Sequence, residues 1–339
     1  EKLENLGVTV KVITGDSPLI TKKICEEVNL KIIGRVITGE ELSKLNKIEF
    51  ENYCQKYNIF ARITPDQKYE IVKCLNKEGR IAGFLGDGIN DAPALHAADI
   101  GISVDSASDI AKDAADIILL HKSLLVVANG IIEGRKTFGN ITKYMMDITS
   151  ANYGNMLTVA ASSAFLKFIP LLPSQILLNN FLSDIPDLTL SSDNVDSEFV
   201  QKPKKWNIKF ISRFMIVFGL LSCIFDAMII IPLLFIFKIP VESFRTAWFV
   251  ESVLSEIFVM FAYRTRRPFF KSTPGKWFLI ATAFTTVLTI GITISTLGME
   301  LFGFVNLSMF IWAWIALVLI LYFASTEIAK IFFYRKYQQ

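Results

Sequence analysis

Gly86-Asp87-Gly88-Ile89-Asn90-Asp91-Ala92-Pro93 follows a short apolar run, Ile81-Ala82-Gly83-Phe84-Leu85, and opens into an alanine-rich, helix-like stretch. An apolar run bounded by glycine and followed by helical character reads as a buried strand feeding a helix through a tight turn. Two carboxylates four residues apart at that turn can hold a hard divalent cation through oxygen, and exposed backbone N–H groups can hold phosphate. Gly-Asp-Gly in isolation is an ordinary polar turn. The full eight-residue string favours a site over a turn.

Outward from this stretch, strand-like runs alternate with helix-like ones. Val8–Ile13 ends at Thr14-Gly15-Asp16, and Ser17-Pro18 starts a helix running to about Asn29, with proline near its favoured first position. Asn58–Ile63 ends at Thr64-Pro65-Asp66-Gln67-Lys68, and a helix follows to about Glu78. Ile100–Val104 and Asp116–Leu120 read as further strands, with a helix over about Ser106–Ala115 between them. This alternation predicts a parallel sheet with crossover helices, whose ligands gather at the carboxyl ends of the strands. Thr14-Gly15-Asp16, Lys68 and Asp87 each lie at or just past such an end. Together they offer a hydroxyl, an ammonium, carboxylates and glycine-lined backbone, the parts needed to bind a phosphoryl group with a magnesium ion. Taken singly, Thr14-Gly15-Asp16 is a turn and cap, and Lys68 is a solvated lysine. His96 and His121 read as structural or exposed, with no nucleophile nearby to activate.

The chain has 339 residues, 52% hydrophobic, with 35 basic and 32 acidic side chains and a net charge of +3. That near-balance argues against nucleic acid as a partner. Four scattered cysteines without CxxC spacing argue against a zinc site or a disulfide framework. The apolar residues are unevenly spread. Residues 1–125 have soluble α/β character, 126–148 form a charged stalk helix, and 149–339 are dominated by segments long enough to cross a bilayer. Six spans are expected, at about 149–169, 173–191, 211–237, 244–263, 277–299 and 308–328. Lysine and arginine concentrate in the loops 192–210 and 264–276 and in the tail, which places the soluble part and both termini in the cytoplasm.

Polar residues inside the spans are a second signal, because a charge at the bilayer centre costs about 2.5–3.5 kcal/mol on insertion scales. Asn180, Ser183, Asp184 and Asp187 fall at helical spacings on roughly one side of the second span, with Pro186 between the two acids loosening the helix. Asn152 and Asn155 come from the first span; Asp226, Glu251 and Glu256 come from the third and fourth. Headgroup contact or side-chain pairing is the alternative reading, weighing most for Asp226 and Glu251. All are oxygen donors, suited to Mg²⁺ or Ca²⁺ rather than to copper or zinc.

Thr14-Gly15-Asp16, Thr64–Lys68 and Gly86–Pro93, in this order, resemble the phosphorylation domain of P-type ATPases. That resemblance implies a haloacid-dehalogenase-like α/β partial domain followed by an all-α transmembrane bundle of six helices. By motif position, Thr14, Gly15, Asp16, Lys68 and Gly88 would contact the phosphoryl group. Asp87 and Asp91 would serve the catalytic Mg²⁺, and Asn90 and Asp91 would support the pocket and its attacking water. The family's phosphorylated aspartate sits in Asp-Lys-Thr-Gly-Thr, a string this chain lacks. The resemblance therefore implies that the rest of the pump is a missing partner, and that this chain alone forms no phosphoenzyme. Thr38-Gly39-Glu40-Glu41 is similar to an actuator loop of the family, but its position between two phosphorylation motifs makes it a turn and helix start.

Asn152-Tyr153-Gly154-Asn155, Asn179 through Asp184, Asp193-Asn194-Val195-Asp196, Lys202–Trp206, Ser222–Asp226 and Arg264–Arg267 resemble the bacterial magnesium-transporting subfamily. This likeness covers nearly the whole chain and implies ATP and Mg²⁺ as ligands, membrane lipid as surroundings and the cytoplasmic membrane as location. Calcium pumps carry a glutamate at the position of Asn155, and Glu256 departs from the glutamine expected in the magnesium family. A calcium or other cation pump, or a membrane module with a binding or regulatory role, remains the alternative at this point.

Overall fold

The computed structural model describes residues 2–77 and 81–337 and divides into two compact units, residues 1–132 and 133–339. Glu78, at the expected end of the second helix, lies outside the described residues.

Among the described residues the first unit carries six strands: β1 Val12–Ile13, β2 Ile37–Thr38, β3 Ile59–Ala61, β4 Gly83–Leu85, β5 Ile100–Val104 and β6 Ile117–Leu119. All pairings are parallel, as the alternation of runs predicts, but they make two three-stranded sheets, β1-β3-β2 and β4-β5-β6. β3 is central in the first sheet and fully buried, which accounts for its unbroken Ile59-Phe60-Ala61 run. β2 has no periodic signal to announce it; two residues pair with Phe60 and Ala61. Ile13 packs against the hydrophobic clusters of both sheets.

Helices α1 Pro18–Glu27, α2 Lys47–Lys56, α3 Pro65–Lys77 and α4 Ala92–Ala97 follow strands or turns in the first unit. Ser17 caps α1, accepting from the Ile20 N–H, with Pro18 in the first turn. Thr64 and Gln67 cap α3 reciprocally: the Gln67 N–H donates to Thr64 Oγ1 at 3.3 Å, and the Thr64 N–H donates to Gln67 Oε1 at 3.1 Å. Thr38 caps a short turn of helix at Gly39–Leu42, the turn and helix start expected of that string.

The second unit is helical. α5 covers Leu124–Phe165 without a break, so the boundary between units falls inside one 42-residue helix. α6 is Pro173–Thr189, α7 Ile208–Ile231 continued by a π-helical turn at Pro232–Ile236, α8 Val241–Tyr263, α9 Lys276–Ile294 and α10 Met309–Lys336. α7 with its extension, α8, α9 and α10 are each long and apolar enough to cross a membrane. α8 is the axis of the unit: it packs against α6, α7, α9 and α10 and is buried along most of its length. Phe214, Phe218, Tyr263 and Phe333 pack edge-on and tilted at ring separations of 4.2–5.6 Å. In α5, Gly130 and Gly134 stand either side of the unit boundary, and a Cβ at either would meet nothing within 4 Å.

Candidate functional site

Three strand ends build the polar corner of the first unit. β4 runs into Gly86-Asp87-Gly88, and a 3₁₀ turn at Ile89–Asp91 leads directly into α4. The Gly86 N–H donates to the Ile102 carbonyl at 3.1 Å, and the Ser103 hydroxyl donates to the Gly86 carbonyl at 2.9 Å, which pins the turn to β5. A Cβ on Gly86 would lie 2.7 Å from Asp91 Cβ and 3.0 Å from its Cγ, so the close return of Asp91 requires glycine there. Asp91 is 8% exposed. Its Oδ2 accepts from the Gly88 N–H at 3.2 Å and its Oδ1 accepts from Lys68 Nζ at 2.7 Å.

Lys68 reaches Asp91 because the Thr64–Gln67 cap fixes the start of α3, one residue before it. The pair is largely shielded, with side chains 16% and 12% exposed. Asp87 is exposed, and its Oδ2 accepts from Lys122 Nζ at 2.7 Å. That hydrogen bond, against the opposing effect of burial, holds the Asp87 carboxyl below the usual carboxylate range, and Lys68 adds to the effect. Asn90 is exposed on the same turn. Lys68, Asp87, Gly88 and Asp91 are thus gathered at one corner.

Thr14-Gly15-Asp16 follows β1 and is tied to the end of β3. The Ile63 N–H donates to the Thr14 carbonyl at 3.0 Å and the Arg62 N–H donates to the Asp16 carbonyl at 2.9 Å. Arg62 reaches this geometry with φ at 52°, a left-handed conformation unusual for a side chain of that size. Thr14 Oγ1 donates to Asp16 Oδ2 at 2.8 Å and accepts from the Asp16 N–H at 3.2 Å, so the hydroxyl is engaged within its own loop. The hydrogen bonds of this loop run within itself and to β3, not to Lys68 or Asp91.

Sequence reasoning missed Lys122. Nothing local marks it; it meets Asp87 because β4 and β6 flank β5 in parallel, so their carboxyl ends face the same edge.

The donor set fits Mg²⁺ in part. Among the described residues no three Asp, Glu, His or Cys side chains converge to hold a metal ion. Mg²⁺ asks for less, one or two carboxylates completed by phosphate oxygens and water, and Asp87 offers one on an accessible turn.

In the second unit the expected residues divide. On α6, Ser183 and Asp187 are buried while Asn180 and Asp184 are exposed, so the polar stripe straddles the edge of the packed face. On α5, Asn152 is exposed and Asn155 half-buried. Asp226 has both oxygens engaged by protein donors, Thr158 Oγ1 at 2.7 Å and Trp248 Nε1 at 3.2 Å. Glu251 is 1% exposed, and buried oxygens of Asp187, Glu251 and Glu256 have no hydrogen-bond partner among the described residues. Asp147, which the sequence did not single out, adds another such oxygen on α5 and meets Asp187. Pro186 lies inside α6 and has no N–H for the Leu182 carbonyl. α5, α6 and α8 therefore carry buried acceptors without donors, and Asp147, Asp187 and Glu256, one from each helix, lie within interaction range of one another.

At the end of α6, Asp193 is enclosed. Its carboxylate accepts from Lys143 Nζ at 2.6 Å, Arg264 Nε at 2.9 Å and the Gly275 N–H at 2.6 Å, and its side chain is 0% exposed. Burial works to raise this carboxyl, but the two cations outweigh it and hold it below the usual range. Lys143 is lowered, by burial first and by Arg264 in addition, despite its pairing with Asp193. Asp193 shifts down because two cations face it, and Lys143 shifts down chiefly because it is buried.

Two family profiles match the chain. One described as haloacid dehalogenase-like hydrolase covers residues 1–99, and one described as Cation transporting ATPase, C-terminus covers residues 168–332. "Magnesium-transporting ATPase, P-type 1" of Escherichia coli (strain K12) is 43% identical over 340 residues, 99% of this chain and 38% of that protein. The protein of the same name from Salmonella typhimurium (strain LT2) is 42% identical with the same coverage. A "Calcium-transporting ATPase" of Bacillus subtilis (strain 168) is 28% identical over 81% of this chain and 36% of its own length. The chain thus spans well under half the length of these relatives. A haloacid-dehalogenase-like unit with Lys68 held against Asp91 beside Asp87, joined to a helical bundle with membrane-length helices, makes this a multi-pass membrane chain that belongs to the P-type cation-transporting ATPases.

Proposed function

We propose that this chain is the carboxy-terminal part of an ATP-driven magnesium transporter that takes up Mg²⁺ across the cytoplasmic membrane. The observation that carries the reading is the 2.7 Å Lys68–Asp91 pair beside Asp87, a fixed ammonium next to an accessible carboxylate at the ends of parallel strands. The cation is taken from the relatives named for magnesium transport, which match 99% of the chain at 41–43% identity.

In this reading the phosphorylated aspartate is supplied from outside this chain. Lys68 faces the phosphoryl oxygens, with Asp91 holding its ammonium in place, and the Thr14–Asp16 loop offers a hydroxyl and backbone from β1. Gly88 keeps the turn open to phosphate, and Asn90 and Asp91 orient water. A Mg²⁺ ion held by Asp87 would draw charge from the phosphoryl oxygens. Six membrane spans are proposed, α7 to α10 joined by α6 and the distal half of α5, with the soluble unit and both termini in the cytoplasm. Asn155, Asn180, Ser183, Asp184 and the buried acceptors on α5, α6 and α8 line the cation path. ATP, transported Mg²⁺ and lipid are its partners.

The full-length protein in proteoliposomes tests this. Mg²⁺-stimulated ATP hydrolysis coupled to Mg²⁺ uptake is expected, with little Ca²⁺ uptake under the same conditions. Asp184→Ala should lower uptake at least about tenfold, as removal of a charged ligand would. Uptake at the wild-type rate in that variant removes Asp184 from the path, and preferential Ca²⁺ uptake replaces the proposed cation.

A further inference from the structure

Two carboxylates at the corner of the first unit are each met by a lysine, but the two pairings differ. Lys68–Asp91 is enclosed, and Asp91 is further fixed by the Gly88 N–H. Lys122–Asp87 is open to solvent, with side chains 70% and 53% exposed, yet equally short at 2.7 Å. The pair is formed across the sheet, from the end of β6 to the end of β4, 35 residues apart in sequence. The Asp87 backbone is held independently: its carbonyl accepts from the Ser108 N–H at 3.2 Å. Lys122 therefore does not position the turn. What it engages is Oδ2, one of the two oxygens Asp87 can offer to a divalent ion.

We propose that Lys122 is a resident counter-cation of Asp87, a positioning residue that competes with divalent metal for this carboxylate and sets how tightly the corner takes Mg²⁺. The inference rests on the reading of Asp87 as the metal-holding carboxylate. An ammonium and a divalent cation cannot share Oδ2 at contact distance, so a metal that takes this oxygen displaces Lys122, and one on Oδ1 meets the ammonium's charge across the same carboxylate. Its departure is cheap because the pair is exposed and its side chain is free to swing into water. Competition and simple charge repulsion act in the same direction, so removing the ammonium strengthens metal binding and never weakens it. The corner carries two carboxylates, Asp87 and Asp91, each met by a lysine, and the exchangeable Lys122 keeps Asp87 neutralised in the absence of divalent metal.

The test is direct binding. Mn²⁺ alone is titrated into the full-length protein in detergent, and free Mn²⁺ is read by electron paramagnetic resonance without ATP. Asp87→Asn identifies the Asp87-dependent fraction. For that fraction Lys122→Met should bind about two- to fivefold more tightly than wild type, the size expected for an exposed pair, and Lys122→Arg should stay near wild type. Lys122→Met with unchanged or weaker affinity overturns the inference while leaving the Asp87 assignment standing. Failure of Asp87→Asn to remove any Mn²⁺ overturns both. Since Lys122 is exposed, Lys122→Met should melt with wild type, so a shift in affinity cannot be ascribed to lost folding.

Discussion

Replacing Asp193 with alanine should destabilise the helical unit more than any exposed substitution, and the structure sets the size of the effect. The carboxylate is enclosed, with Lys143, Arg264 and the Gly275 N–H all directed at it within 2.9 Å. Lys143 and Arg264 are themselves buried, so the variant leaves two cations without their anion. Removing one partner of a buried ion pair costs about 3–5 kcal/mol. At roughly 2–4 °C per kcal/mol for a unit of this size, melting should fall by about 6–20 °C. All five tryptophans, Trp206, Trp248, Trp277, Trp312 and Trp314, lie in the second unit, so intrinsic fluorescence in detergent reports its unfolding selectively. Adding Lys143→Met to Asp193→Ala should recover part of the loss, because one stranded cation goes with it. Acid gives an independent check. The folded carboxyl lies below its unfolded value, so its contribution is complete above an unfolded value of about 4 and is lost as pH falls through the folded one. Wild type should lose melting temperature in that acid window, and Asp193→Asn should lose less there. An Asp193→Ala protein melting within about 2 °C of wild type would refute the reasoning.

Two further substitutions address the corner of the first unit. Gly86→Ala forces a Cβ to within 2.7 Å of Asp91 Cβ, so Asp91 must move and Lys68 with it. A cost of about 1–3 kcal/mol in stability is expected, together with a fall in full-length ATP hydrolysis of up to about a hundredfold, measured against wild type at saturating ATP. Lys68→Met leaves the shielded Asp91 carboxylate with the Gly88 N–H alone, for about 1–3 kcal/mol of stability by denaturant titration of the first unit, and equal stability would mean that the pair is incidental.

The strand ends were legible because glycine, proline, aspartate and threonine punctuate them. Pro18 marks a first helical turn, whereas the Thr64–Gln67 cap that aims Lys68 emerged only from the structure. Strand positions at Ile59–Ala61 and Ile100–Val104 follow from short, largely apolar runs. β2 escaped because two residues have no period, and its existence depends on Phe60 and Ala61, more than twenty residues away. The same limit hid Lys122, Asp147 and the enclosure of Asp193. Each is an ordinary residue in its local context, and its role arises from partners 35 to 82 positions distant. Asp226 shows the converse: its acidity inside an apolar run was legible, but its Thr158 and Trp248 partners were not.

α5 has a weak point that no chemistry demands. Helix interiors disfavour glycine by about 1 kcal/mol relative to alanine, and neither Gly130 nor Gly134 is needed to admit a neighbour. The two stand one turn apart where the first unit gives way to the second. A helix of 42 residues is about 63 Å long, and a rod of that length with two bare turns bends there first. What the two glycines supply is compliance: at these two positions the helix carries no side chain that bending would have to repack.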